Sequence, residues 1–145
     1  MGILIDASIL VDYERGRLDL DEHVAARGHD ELFLSVITAS ELLHGVHRAR
    51  GRAQRAKRSA FVEGVLDRFA LLPVDVPTAR AHAEIWAGLA AKGQMIGAHD
   101  LWLAAVCLAN GLTLATSNVR EFARVPGLLV EDWSWSETEE PTSEP

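Results

Sequence analysis

One cysteine, Cys107, stands in a chain of 145 residues, so no disulfide framework can form within it. No stretch approaches the roughly 20 apolar residues of a membrane span. No basic region precedes the N-terminal apolar run, and Asp6 interrupts that run, which argues against a signal peptide. A myristoylation signal after Met1-Gly2 would need Ser or Thr where Asp6 stands. The expectation is a cytoplasmic protein with no membrane association. Several catalytic signatures are missing as well. There is no phosphate loop G-x-x-x-x-G-K-[ST], no dinucleotide turn G-x-G-x-x-G and no nucleophile elbow G-x-S-x-G. The six histidines show no zinc spacing. An aspartyl-nucleophile phosphatase would want a second Asp two residues after Asp6, where Ser8 stands.

Lys and Arg are absent from residues 131–145, which carry six acids. Removing those six from the chain's 21 acids leaves the body nearly balanced against its 14 bases. The net charge of -7 therefore describes a Pro/Ser/Thr/Glu tail more than the folded part. One domain over residues 1–135 is expected, followed by an acidic, disordered tail over 136–145. Six of the 14 bases (Arg48, Arg50, Arg52, Arg55, Lys57 and Arg58) crowd into one short segment. Clustering of that kind keeps a nucleic-acid substrate open despite the acidic total.

What is present is a rhythm of short apolar strands and helices. Ile3-Leu4-Ile5, Leu32-Phe33-Leu34, residues 71–74, 112–115 and 128–130 read as strands. Residues 8–13, 18–26, 38–49, 52–69, 77–91, 100–109 and 119–122 read as helices. Alternation of this kind predicts an α/β fold in three layers, with a short, mostly parallel central sheet flanked by helices.

In such sheets, sites form at the carboxyl ends of strands. Asp6 follows the first strand, and Glu41 comes after the second in "SVITASELLHG". Asp100 opens an apolar helix in "IGAHDLWLAA", and Asn118 follows a late strand in "LATSN". All four are oxygen donors, the kind that Mg²⁺ and Mn²⁺ prefer. Each also has a structural reading. Asp6 fits an N-cap, Thr38-Ala39-Ser40-Glu41 fits a capping box, Asp100 fits a helix first turn and Asn118 fits a turn. Among the histidines, mostly expected at the surface, His99 beside Asp100 is the one to watch. Cys107, Trp86 and Trp102 read as core. Trp133 and Trp135 either fold back on the body or meet a partner.

The stretches "ILIDASILVDYERG", "SVITASELLHGVHRA" and "IGAHDLWLAAVCLANGLTLATSNVREFARVPGLLVEDW" resemble the PIN-domain ribonucleases, and within them the VapC-type toxins of VapBC toxin–antitoxin modules. The resemblance implies a PIN-like fold and the toxin component of a type II toxin–antitoxin system. It implies an endoribonuclease that uses Mg²⁺ or Mn²⁺ to cut structured cellular RNA, transfer or ribosomal, by in-line attack of an activated water. Asp6, Glu41 and Asp100 match the family's acidic metal ligands. Asn118 matches a fourth catalytic position that is often Asp, and it offers a carbonyl oxygen but no charge. Ser8 and Thr116 match supporting positions. Arg50, Arg52 and Arg55 are the candidate RNA-backbone contacts, with a solvated helix face as the alternative. A homodimer and a VapB-like antitoxin are implied partners, and Ile9, Leu10, Leu42 and Leu43 are candidates for the interface. The departure at Asn118 leaves a second reading open, a catalytically weak PIN-like RNA-binding module. A DNA-flap nuclease fits less well, since nothing resembles a DNA-clamping insertion.

Overall fold

The structure is a computed structural model and describes residues 2–28 and 30–134. Trp135 and the acidic tail lie outside the described residues, as does the expected domain boundary. Five strands, β1 (Ile3–Ile5), β2 (Leu32–Ser35), β3 (Ala70–Leu72), β4 (Thr113–Thr116) and β5 (Val130–Asp132), form one sheet in the order β3-β2-β1-β4-β5. Every pairing is parallel, with Ile3 opposite Leu32 on one side and Thr113 on the other. Among the described residues, seven helices connect and cover the strands: α1 (Ala7–Glu14), α2 (Leu20–Arg27), α3 (Val36–Arg48), α4 (Arg52–Arg68), α5 (Val76–Ala91), α6 (Ala98–Asn110) and α7 (Val119–Phe122). None of them is long and apolar enough to cross a membrane.

The run Ile3-Leu4-Ile5 has no polar face because both sides of β1 are covered. Side chains alternate along a strand, so Ile3 and Ile5 join a core with Ile9, Leu10, Leu34, Leu42, Val62 and Val65. Leu4 points the other way and packs with Leu103, Val106, Cys107 and Leu114. Chain order then places the site. From β1 the chain winds out to β2 and β3, crosses through α5 and α6, and returns beside β1 as β4. The strand order reverses between β1 and β4, and a crevice opens at their carboxyl ends.

Several expectations change here. Ile9, Leu10 and Leu42 are buried in the chain's own core, so they cannot supply an interface; of the four aliphatic candidates only Leu43 is exposed. Trp86 is 54% exposed rather than core. It sits one residue, about 100° of helix rotation, off the buried line of Thr78, Ile85 and Leu89 on α5. The last strand begins at Val130 rather than Leu128: Leu128 packs against both core clusters on the α6 side, while Glu131 and Asp132 pair with Ala115 and Thr116 at the sheet edge. The helix α3 starts at Val36, where the Ser35 hydroxyl accepts from the Ile37 amide at 3.0 Å. Thr38-Ala39-Ser40-Glu41 is therefore no capping box, and the Glu41 carboxylate is free of that local role.

Trp133 folds back on the body. It is 1% exposed and stacks on His23 with ring centroids 4.7 Å apart, while its Nε1 donates to Glu131 at 2.9 Å. Arg27 pairs with the same Glu131 and ties α2 to β5. Trp133→Phe keeps a ring in place but loses the N–H donor and part of the stacked area. It is expected to lower unfolding stability by about 1–2 kcal/mol in urea melts.

Candidate active site

Asp6 ends β1 and occupies the N-cap position of α1, yet its side chain makes no capping bond. It is 5% exposed, and Oδ2 accepts from the Thr116 hydroxyl at 2.7 Å and the Ser8 hydroxyl at 2.8 Å. Those two hydroxyls are themselves held by the β4–α7 turn. The Ser117 amide donates to Ser8 Oγ at 3.2 Å, and the Asn118 amide donates to Thr116 Oγ1 at 2.9 Å. Each hydroxyl thus accepts from a backbone N–H and hands its own proton to Asp6. A buried carboxylate needs such donors, and these fix it at the floor of the crevice.

Asp100 lies in the first turn of α6. Its carboxyl is pushed up to about 7, first by burial, then by a hydrogen bond with Glu121 and by the charges of Asp6, Glu121 and Glu41. Glu121, on α7, is held below the usual range, chiefly by the Gly97 amide, with help from Asn118, Asp100 and Arg124. Its Oε1 accepts from Gly97 N at 2.7 Å, and its Oε2 accepts from Asn118 Nδ2 at 2.7 Å. The two shifts run in opposite directions, as expected of two carboxyls that share one proton across a hydrogen bond. Glu41, on α3, pairs through Oε1 with His99 Nδ1 at 2.6 Å. A shallow depression lined by Gly97, Ala98, His99 and Asp100 opens above the group. A more apolar groove, lined by Ile85, Leu89 and Leu108 among others, lies on α5 and α6 and holds none of these carboxylates.

A PIN domain family model matches residues 3–128. The chain belongs to the PIN-domain family. Ribonuclease VapC1 of Rickettsia felis is 35% identical to this PIN domain over 130 residues, covering 90% of this chain and 95% of that protein. The tRNA(fMet)-specific endonuclease VapC of Salmonella typhimurium is 34% identical over 115 residues, covering 77% of this chain and 85% of that protein. Among solved structures, DNA-bound VapBC from Salmonella typhimurium is similar at a TM-score of 0.84 and 28% identity, covering 92% of this chain and 98% of that one.

The structure brings Asp6, Ser8, Asp100, Thr116 and Asn118 of this PIN domain to one crevice, with Glu41 near enough for its charge to act on Asp100. Asn118 reaches the site through Glu121. Sequence reasoning passed over Glu121, and a signal for it existed. It lies three residues after Asn118, which is the spacing that places two side chains on one helical face. Arg50, Arg52 and Arg55 lie exposed around the start of α4. Arg55 Nη2 reaches the Ala49 carbonyl at 3.4 Å, and none of the three shares a described contact with the carboxylates.

Among the described residues no three acidic, histidine or cysteine side chains stand as a closed metal-ligand set. Glu41 is turned to His99 and Asp100 to Glu121. The donor set nonetheless fits a hard divalent cation. It consists of carboxylate oxygens, and it is electrostatically unbalanced enough that Asp100 keeps a proton near neutral pH. A cation would take the place of that proton. Thr38, one helical turn before Glu41, carries a buried hydroxyl with no partner among the described residues.

Proposed function

We propose that this PIN domain is a Mg²⁺- or Mn²⁺-dependent endoribonuclease, the toxin half of a toxin–antitoxin pair, that hydrolyses structured cellular RNA. The observation that carries the reading is the cluster of Asp6, Asp100, Glu121 and Glu41 at the carboxyl ends of β1 and β4, crowded enough to raise Asp100 to about 7. Asp6, Asp100 and Glu121 would hold the cation, with Glu41 completing the site. A bound divalent cation supplies an activated water and charge stabilisation at the phosphate.

The chain's own groups do the positioning. Ser8 and Thr116 lock Asp6 in one rotamer, and Asn118 and the Gly97 amide aim Glu121. His99 holds Glu41 at the rim. Glu121 supplies the negative charge that Asn118 lacks, which favours an enzyme over a weak RNA-binding module. The similarity to VapC ribonucleases and to a VapBC complex supports RNA as substrate and a VapB-like antitoxin as partner. A homodimer is part of the same reading.

The test is cleavage of a cellular RNA pool with Mg²⁺, with Mn²⁺ and with chelator, alongside thermal melts. Discrete cuts that vanish with chelator are expected. Mn²⁺ at about 100 times its Kd should stabilise the fold by roughly 2.7 kcal/mol, read as a rise in Tm. A folded protein that cuts nothing and does not shift its Tm would end this reading.

A further inference from the structure

Glu41 also forms one wall of a second cleft, about 310 Å³, between α1, α3 and α4. Glu14, Arg15, Arg48 and Arg58 share its lining. Arg58 is tied in place: its Nε reaches Glu14 Oε1 at 3.1 Å and its Nη1 reaches the Gly45 carbonyl at 3.4 Å, joining α4 to α1 and α3. Glu14 is thereby neutralised. The side chains of Arg15 and Arg48 make no hydrogen bond or ion pair among the described residues. Two uncommitted guanidiniums therefore stand in the cleft that Glu41 borders.

A cluster of carboxylates repels a polyanion, so a nuclease built on one needs positive charge beside it to hold the strand. We propose that this cleft is a phosphate subsite, in which Arg15 and Arg48 bind an RNA backbone phosphate flanking the one that is cut. Arg58 acts as a positioning residue that keeps the three helices apart at the right width. Guanidinium forks suit this task because they pair with phosphate oxygens in a planar, two-bond geometry. Helical spacing agrees: Arg48 lies seven residues after Glu41, on the same face of α3. The subsite moves the phosphate contact away from Arg50, Arg52 and Arg55, none of which lines the cleft. It rests on the ribonuclease reading above, and the test separates the two.

Binding of a fluorescein-labelled stem–loop RNA is measured by anisotropy across a salt series, with Asp100→Asn as the non-cleaving parent. Adding Arg15→Gln and Arg48→Gln is expected to raise Kd roughly tenfold and to flatten the plot of log Kd against log salt by about 0.7, the loss of one neutralised phosphate on a single strand. In the cleaving protein the same pair should raise KM and leave kcat nearly unchanged. Arg80→Gln with Lys92→Gln removes the same charge from exposed positions on α5 and at its C-cap and should change neither quantity. The subsite is overturned if the Arg15/Arg48 pair leaves affinity and slope as in the parent, or if the α5 pair lowers them equally. It is also overturned if RNA binding holds while binding of a labelled poly-glutamate peptide falls, which would make the cleft a peptide site. If the parent binds no RNA, the ribonuclease reading falls and the subsite with it. If binding depends on Arg15 and Arg48 but the wild type cuts nothing, the subsite stands and only hydrolysis is refuted.

Discussion

Asp100→Asn is expected to lower RNA cleavage by about a thousandfold while making the metal-free protein more stable above pH 7. The two effects share one cause. In the unfolded chain Asp100 titrates near 3.8; in the fold it is pushed up to about 7 by burial, by the bond to Glu121 and by three neighbouring carboxylates. Between those pH values the native state keeps a proton that the unfolded chain has released. Stability therefore falls as pH rises through that window, and above it the fold carries the full cost of the extra charge. Asparagine can still donate to Glu121 and never ionises. The gain should be near zero at pH 4 and reach about 1–2 kcal/mol at pH 8, discounted because the proton is shared with Glu121 and the group is part-exposed. Chemical denaturation with chelator at both pH values measures it. A variant less stable than wild type at pH 8 would show that Asp100 serves the fold rather than the site. Divalent cation should narrow the gap by stabilising only the wild type.

Asp6 and Asp100 were legible because each breaks an apolar stretch, and a charge in such a place needs a physical reason. The sheet was legible for a related reason: strands covered on both faces read as continuous apolar runs. Glu121 was hidden because "SNVREFARV" looks like an ordinary solvated turn, flanked by Arg120 and Arg124. Only the fold brings its carboxylate under the Gly97 amide, 24 residues earlier in the chain. Burial of individual aliphatics was hidden too. Leu42 and Leu43 are neighbours of one type, and the orientation of α3 alone decides that the first is core and the second exposed. The basic run was visible as a run, but which of its members share a wall with Glu41 depends on how α4 packs against α1 and α3.

Glu121→Gln is expected to cost roughly a hundredfold in cleavage, while Asn118→Ala costs less than about tenfold. Both oxygens of Glu121 accept from donors, Gly97 N on one side and Asn118 Nδ2 on the other. A glutamine offers one oxygen, so its amide group must face one of those donors, and it brings no charge toward a cation. Asn118→Ala removes only the second donor and leaves the carboxylate anchored by Gly97, the largest influence holding it ionised. Activity measured across a Mn²⁺ titration separates the possible roles. If Glu121 is a ligand, the glutamine variant needs far more Mn²⁺ for half-maximal cleavage and gains less Tm from it. If Glu121 is a strut between α7 and the start of α6, the Mn²⁺ dependence stays that of the wild type, and the loss appears in metal-free stability. The first outcome makes Glu121 the fourth acidic member of the site. The second returns that place to Asn118 and reopens the case for a weaker enzyme.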